Sequence, residues 1–233
     1  QNGYAWLFAT PILSIFKFEK TRSSRIPKLV FGDSPLPGVL VVDRYAGYNK
    51  IPCAIQYCLA HLLREVQDAE KEFPDSTEVK TFASTVAPLL ALAMGLRSQR
   101  LDDTTFSSSV SDVKESLQKV MLEPAQHQAI RRIQDIFTEN EKRLYHWAIG
   151  RGIPADNNLA ERDLRPTVIA RKTSFGSASD AGAKTRATLM TTMHTLKKQG
   201  PNHNRLFKAA LDVIARNPEA DPFPLLFPAL SPP

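Results

Sequence analysis

From Asp75 to Gly150 the apolar residues recur at helical spacing, and no stretch alternates as a half-buried strand would. The spacing predicts a helix over 78–100, with Val79, Phe82, Val86, Leu89, Leu90 and Ala93 inward and a kink at Pro88. It predicts a second over 104–122, carrying Phe106, Val110, Val113, Leu117, Val120 and Met121. After Pro124 a third is expected over 126–149, with Ile130, Ile133, Ile136, Phe137, Leu144 and Trp147, closed by Gly150 and Gly152. His127 and His146 fall on these helices as structural residues. The flanking sequence is patterned differently, so this block reads as an all-helical insertion in a mixed α/β chain.

Ahead of the insertion, Tyr4–Ala9 (YAWLFA) and Ile12–Phe18 read as two strands of a hairpin broken at Pro11. A short helix is expected within Thr21–Phe31, then turn chemistry over Gly32–Gly38. Val39–Val42 is a run of four apolar residues, a buried strand that delivers Asp43 at its C-terminal edge. Ligands gather at that edge in open α/β sheets, although an acid there can equally open a turn or cap the next element. Tyr57–Phe73 is predicted helical, with Leu59, Leu62, Leu63, Val66 and Ala69 as its apolar stripe. Cys58 and His61 share one face of it. Two ligands do not make a zinc site, which needs four, and no second pair occurs at finger spacing.

Beyond the insertion, Ile153–Ser177 concentrates polar, charged and turn-forming residues. Asp156, Asn157 and Asn158 suit the end of a loop, and Leu159–Leu164 a short helix carrying Glu161. Asn158-Leu159-Ala160-Glu161 also fits a capping box, with Asn158 as N-cap and Glu161 folded back. Helices are expected over 179–199 and 204–216. Residues 218–233 hold six prolines and read as an extended tail.

The chain carries a formal +6. Residues 151–216 hold twelve Lys and Arg against five Asp and Glu, so the excess of that segment alone exceeds the total. Such a distribution is an electrostatic footprint for phosphates, or a solvated face. Arg162, Arg165, Arg171 and Lys172 surround Glu161, and a carboxylate in basic surroundings suits metal-dependent chemistry on a polyanion. Two cysteines make no disulfide framework, so a reducing, cytoplasmic setting is expected. The apolar run Val86–Leu96 is too short for a bilayer, and no membrane partner is expected.

DNNLAERDLRP (from Asp156) and ARKTSFGSASDAGAK (from Ala170) resemble the C-terminal signature of the insertion-sequence-66 family of bacterial transposases. VVDRYAGYN (Val41–Asn49) and CLAHLLREV (Cys58–Val66) resemble two further blocks of that family, in its order. The resemblance runs from Tyr4 to about Asn217. It implies a ribonuclease-H-like α/β fold with a mixed sheet and a DDE triad, in which Asp43 matches the second Asp and Glu161 the Glu. The family's first Asp precedes the segment that Gly3–Thr10 resembles, so an N-terminally truncated catalytic region is expected. Asp43 and Glu161 would be the ligands of two Mg²⁺ (or Mn²⁺) ions, Arg162, Arg165, Arg171 and Lys172 the DNA contacts, and Cys58, His61, Asn157 and Asn158 the lining of the active site. The expected organisation is a core over 1–74, the insertion over 75–150, the second part of the core over 151–217 and the tail over 218–233. The implied function is DNA transposition and recombination, with self-association on DNA in a nucleoid-associated bacterial protein. The alternative is an inactive remnant that binds DNA or a full-length transposase.

Overall fold

The computed structural model describes residues 3–174, 177 and 179–228. In chain order the elements are β1 (Tyr4–Ala9), β2 (Ser14–Glu19), α1 (Arg25–Phe31), β3 (Val39–Val42), β4 (Ala54–Tyr57), α2 (Leu59–Glu72), α3 (Thr77–Leu96), α4 (Asp103–Leu122), α5 (Gln128–Glu139), α6 (Asn158–Ser174), α7 (Asp180–Gln199), α8 (His203–Arg216) and α9 (Phe223–Leu226), with 3₁₀ turns at Ala46–Tyr48, Glu141–Arg143 and His146–Ile149. The chain is thus mixed α/β and mostly helical. Among the described residues the strands form two two-stranded sheets, β1–β2 antiparallel and β3–β4 parallel. Two compact units result: Ser23–Asn157, and Gln1–Arg22 together with Asn158–Pro233.

In Ser23–Asn157 one apolar core runs from Val42, Ile55 and Tyr57 through Leu59, Leu62 and Val66 of α2 into α3, α4 and α5. Leu62, Val66, Val86, Leu90, Leu117, Ile133 and Leu144 are completely buried. Each such side chain contributes about 1.5–3 kcal/mol relative to exposure. α3 packs most extensively on α2, so the core of the helices is continuous with that of the β3–β4 pair. By length and composition α3 could cross a bilayer, and its Val79, Phe82, Val86, Leu90, Ala93 and Leu96 lie in this core. Ser76 and Asp102 cap α3 and α4 by accepting the Val79 and Thr105 amides. Gln56 of β4 is fully buried: its Nε2 donates to the Tyr57 and Leu144 carbonyls, and its Oε1 accepts from the Trp147 amide at 3.1 Å. One side-chain amide thereby ties the sheet to the 3₁₀ turns after α5.

In the other unit, α7 lies along the open edge of β2. Thr195 Oγ1 accepts the Ser14 amide and donates to the Ser14 carbonyl, and Thr191 Oγ1 accepts the Phe16 amide at 2.9 Å. Threonine hydroxyls thus satisfy an edge that would otherwise be open. Lys198 and Asp163 form a nearly buried ion pair at 2.6 Å, joined by the Ser14 hydroxyl.

Several local expectations are corrected. Ala54–Tyr57, a strand, carries no alternation that separates it from the helix after it. The helix expected over 126–149 stops at Glu139 and gives way to 3₁₀ turns. α6 continues through Pro166 to Ser174, where a short helix was expected to end near Leu164. The Pro-rich tail is not uniformly extended: α9 forms within it, and Leu226 and Phe227 bury against Leu196 and Ala210. Positions 175, 176 and 178 of the signature stretch, and 229–233 of the tail, lie outside the described residues.

Candidate active site

Strands β3 and β4 run parallel with Val42 opposite Tyr57, so their C-terminal ends lie side by side. The Cys58 amide extends the ladder by donating to the Val42 carbonyl at 2.8 Å. Asp43 and Cys58 therefore leave the same sheet edge. Asp43 is exposed, and its Oδ1 accepts the Tyr45 amide at 3.2 Å, closing an Asx turn. Arg44 between them has φ +66°, a left-handed conformation that costs a non-glycine residue about 1–2 kcal/mol. Its guanidinium pairs with Glu65 on α2. Burial lowers the Arg44 pKa, with the charges of Tyr57 and Asp43 acting the other way. Gly47 is needed three residues further on, because a Cβ there would run into the Tyr45 ring.

The loop before α6 closes onto this edge. The Leu59 amide donates to the Ala155 carbonyl at 2.8 Å, and the Asn157 amide to Cys58 Sγ at 3.4 Å. Cys58 is fully buried, and desolvation raises its thiol pKa, opposed by backbone hydrogen bonds from Asn157, His61 and Ala60. His61 sits in the first turn of α2, its amide on the Cys58 carbonyl. Of the sequence candidates, Asp43, Cys58, His61 and Asn157 are thus gathered around one sheet edge.

The remaining candidates lie on α6, in the other unit. α6 spans Asn158–Ser174, so Asn158 stands at its N-terminal boundary. Glu161 stands in the first turn. Arg165 and Lys172 come four and eleven positions after it, which places all three along one side of the helix. Arg162, Arg165, Arg171 and Lys172 are exposed, and none is paired with an acid among the described residues. Lys198, counted in the same basic segment, is committed internally: besides Asp163 it donates to the Thr10 and Leu13 carbonyls.

Among the described residues no group of three or more His, Cys, Asp or Glu is preassembled to hold a metal ion. The donors at the β3–β4 edge nonetheless suit a hard cation. Asp43 offers an exposed carboxylate, and Asn157 Oδ1 is buried without a hydrogen-bond partner. Sequence reasoning missed the Arg44–Glu65 pair, the Gln56 tie and the Asp163–Lys198 pair. The left-handed conformation of Arg44 is not written in the sequence, and nothing there names Glu65 as its partner.

The family profile described as "Transposase IS66 family" matches residues 1–185. "Uncharacterized protein y4qI" of Sinorhizobium fredii (strain NBRC 101917 / NGR234) is 26% identical over 256 aligned positions, which cover 96% of this chain and 46% of that protein. The chain spans about half the length of this curated relative. No solved structure matches the chain.

Proposed function

The chain belongs to the IS66 family of transposases, and we propose from that premise that Asp43 and Glu161 are two carboxylates of a DDE centre that cuts and joins DNA. The observation that supports this best is the anchoring of the chain just ahead of Glu161. Ala155 and Asn157 are hydrogen-bonded to the Cys58 turn, which itself closes on Val42. Only three residues, Asn158, Leu159 and Ala160, lie between Asn157 and Glu161, so the chain spans at most about 14 Å from one to the other. The family resemblance matches Asp43 and Glu161 to the second Asp and the Glu of one triad, and in this reading 75–150 is the helical insertion of a ribonuclease-H-like domain.

Asp43 and Glu161, with the Asn157 amide oxygen, would hold Mg²⁺ or Mn²⁺. When bound, such ions supply Lewis-acid stabilisation and lower the pKa of an attacking hydroxyl. The Asx turn holds the Asp43 carboxylate in one orientation. Arg165 and Lys172, on the Glu161 side of α6, would take DNA phosphates, with Arg162 and Arg171 flanking them; such contacts position DNA without reading its sequence. Self-association on DNA and a bacterial cytoplasmic setting belong to the same reading. The test is metal-dependent cleavage and strand transfer by a protein containing this chain, with Asp43→Asn and Glu161→Gln each abolishing both. Joining supports a transposase and hydrolysis alone a nuclease; binding without cutting supports the inactive remnant.

A further inference from the structure

We infer that Glu65 is a positioning residue for Asp43, acting through Arg44. The inference rests on reading Asp43 as a metal-binding carboxylate. The Tyr45 amide reaches back to Asp43 Oδ1 because the residue between them is left-handed. Arg is a poor choice for that conformation on backbone grounds, so its side chain must compensate. It does so by pairing with Glu65, at a site where the two side chains are only 24% and 30% exposed and solvent screens the pair incompletely. Glu65 stands on rigid ground: Leu62 and Val66, on the same helix, are fully buried in the core. The Asp43 turn is therefore referenced to the core of its unit through one ion pair. The same pair occupies the cation next to Asp43 in the chain. Released from Glu65, the Arg44 guanidinium would be free to fold onto the Asp43 carboxylate and compete for it with a metal ion. Loss of Glu65 should thus loosen the turn and block the carboxylate together, without unfolding α2.

Amide hydrogen exchange by NMR on the 233-residue chain, combined with Mn²⁺ titration followed by electron paramagnetic resonance, tests this. In Glu65→Gln the Tyr45 amide should exchange about fivefold to tenfold faster while the Leu62 and Val66 amides keep their parent rates. Mn²⁺ should bind about tenfold more weakly. Glu65→Asp should recover part of both effects. Arg44→Gly, which keeps the backbone conformation but removes the pair, should also speed Tyr45 exchange. Unchanged Tyr45 exchange or unchanged Mn²⁺ affinity in Glu65→Gln would overturn the positioning role. Asp43→Asn separates the two levels: parent-like Mn²⁺ affinity in that variant counts against Asp43 as a ligand, whereas the Tyr45 rates judge Glu65 independently of any metal.

Discussion

The backbone amide of Asn157 donates to Sγ of Cys58 at 3.4 Å, bringing the last residue before α6 onto the turn between β4 and α2. Cys58 has no exposed surface, and burial raises its thiol pKa. Cys53 is only half-buried. Burial raises the Cys53 thiol pKa as well, so access to the thiol decides the order: iodoacetamide should label Cys53 in the folded protein and Cys58 only once the unit opens. Mass spectrometry of a timed alkylation reads the order; prompt labelling of Cys58 would mean that the Asn157 loop does not cover it.

Gln56→Leu should destabilise Ser23–Asn157 by about 2–4 kcal/mol, because it leaves the Trp147 amide and the Leu144 carbonyl without their buried partner. Urea unfolding monitored by tryptophan fluorescence measures this. A loss below about 0.5 kcal/mol would show that the tie carries no net stability.

His194 gives the other unit a pH dependence. Desolvation against Phe16 lowers its pKa; Asp163 opposes this, and Lys197 and Lys198 reinforce it. With the folded value below the unfolded one, the unfolded chain takes up the proton first as pH falls through about 6.5. Stability is therefore full above that value and declines on acidification. The melting temperature should fall from about pH 7 to pH 5, and His194→Gln should flatten the fall; an identical pH profile in the variant would assign the dependence elsewhere.

DNA binding, read as a salt titration, should weaken steeply with ionic strength and vary little with sequence. Replacing Arg165 and Lys172 with Ala should flatten the slope of log K against log salt by about two. An unchanged slope would make that side of α6 a solvated face. Lys198→Ala should reveal the contrast: its charge is held by Asp163, so its loss should act on stability and leave the slope alone.

The helical block, the hairpin and the Asp43 strand were legible because each is periodic or apolar over enough residues to declare itself: Val86, Leu90 and Ala93 repeat at helical spacing and are buried as that spacing requires. Ala54–Tyr57 was not legible. Gln56 points inward there, and its burial depends on partners 88 and 91 residues away. The extent of α6 was hidden by Pro166, which ordinarily ends a helix. Asp43, Cys58 and Asn157 could be picked out by residue type and family resemblance, but their meeting at one edge depends on long-range backbone pairing, and Arg44–Glu65 depends on a backbone conformation that no sequence spacing encodes.

The central claim is that Asp43 and Glu161 serve one metal site. A crystal structure of the chain with Mn²⁺ bound tests it most directly. Metal ions in such centres lie about 3.5–4 Å apart, so the account predicts the two carboxylates within roughly 4–8 Å of each other, with Mn²⁺ between them. Carboxylates more than about 12 Å apart, with Mn²⁺ bound elsewhere or not at all, would contradict it.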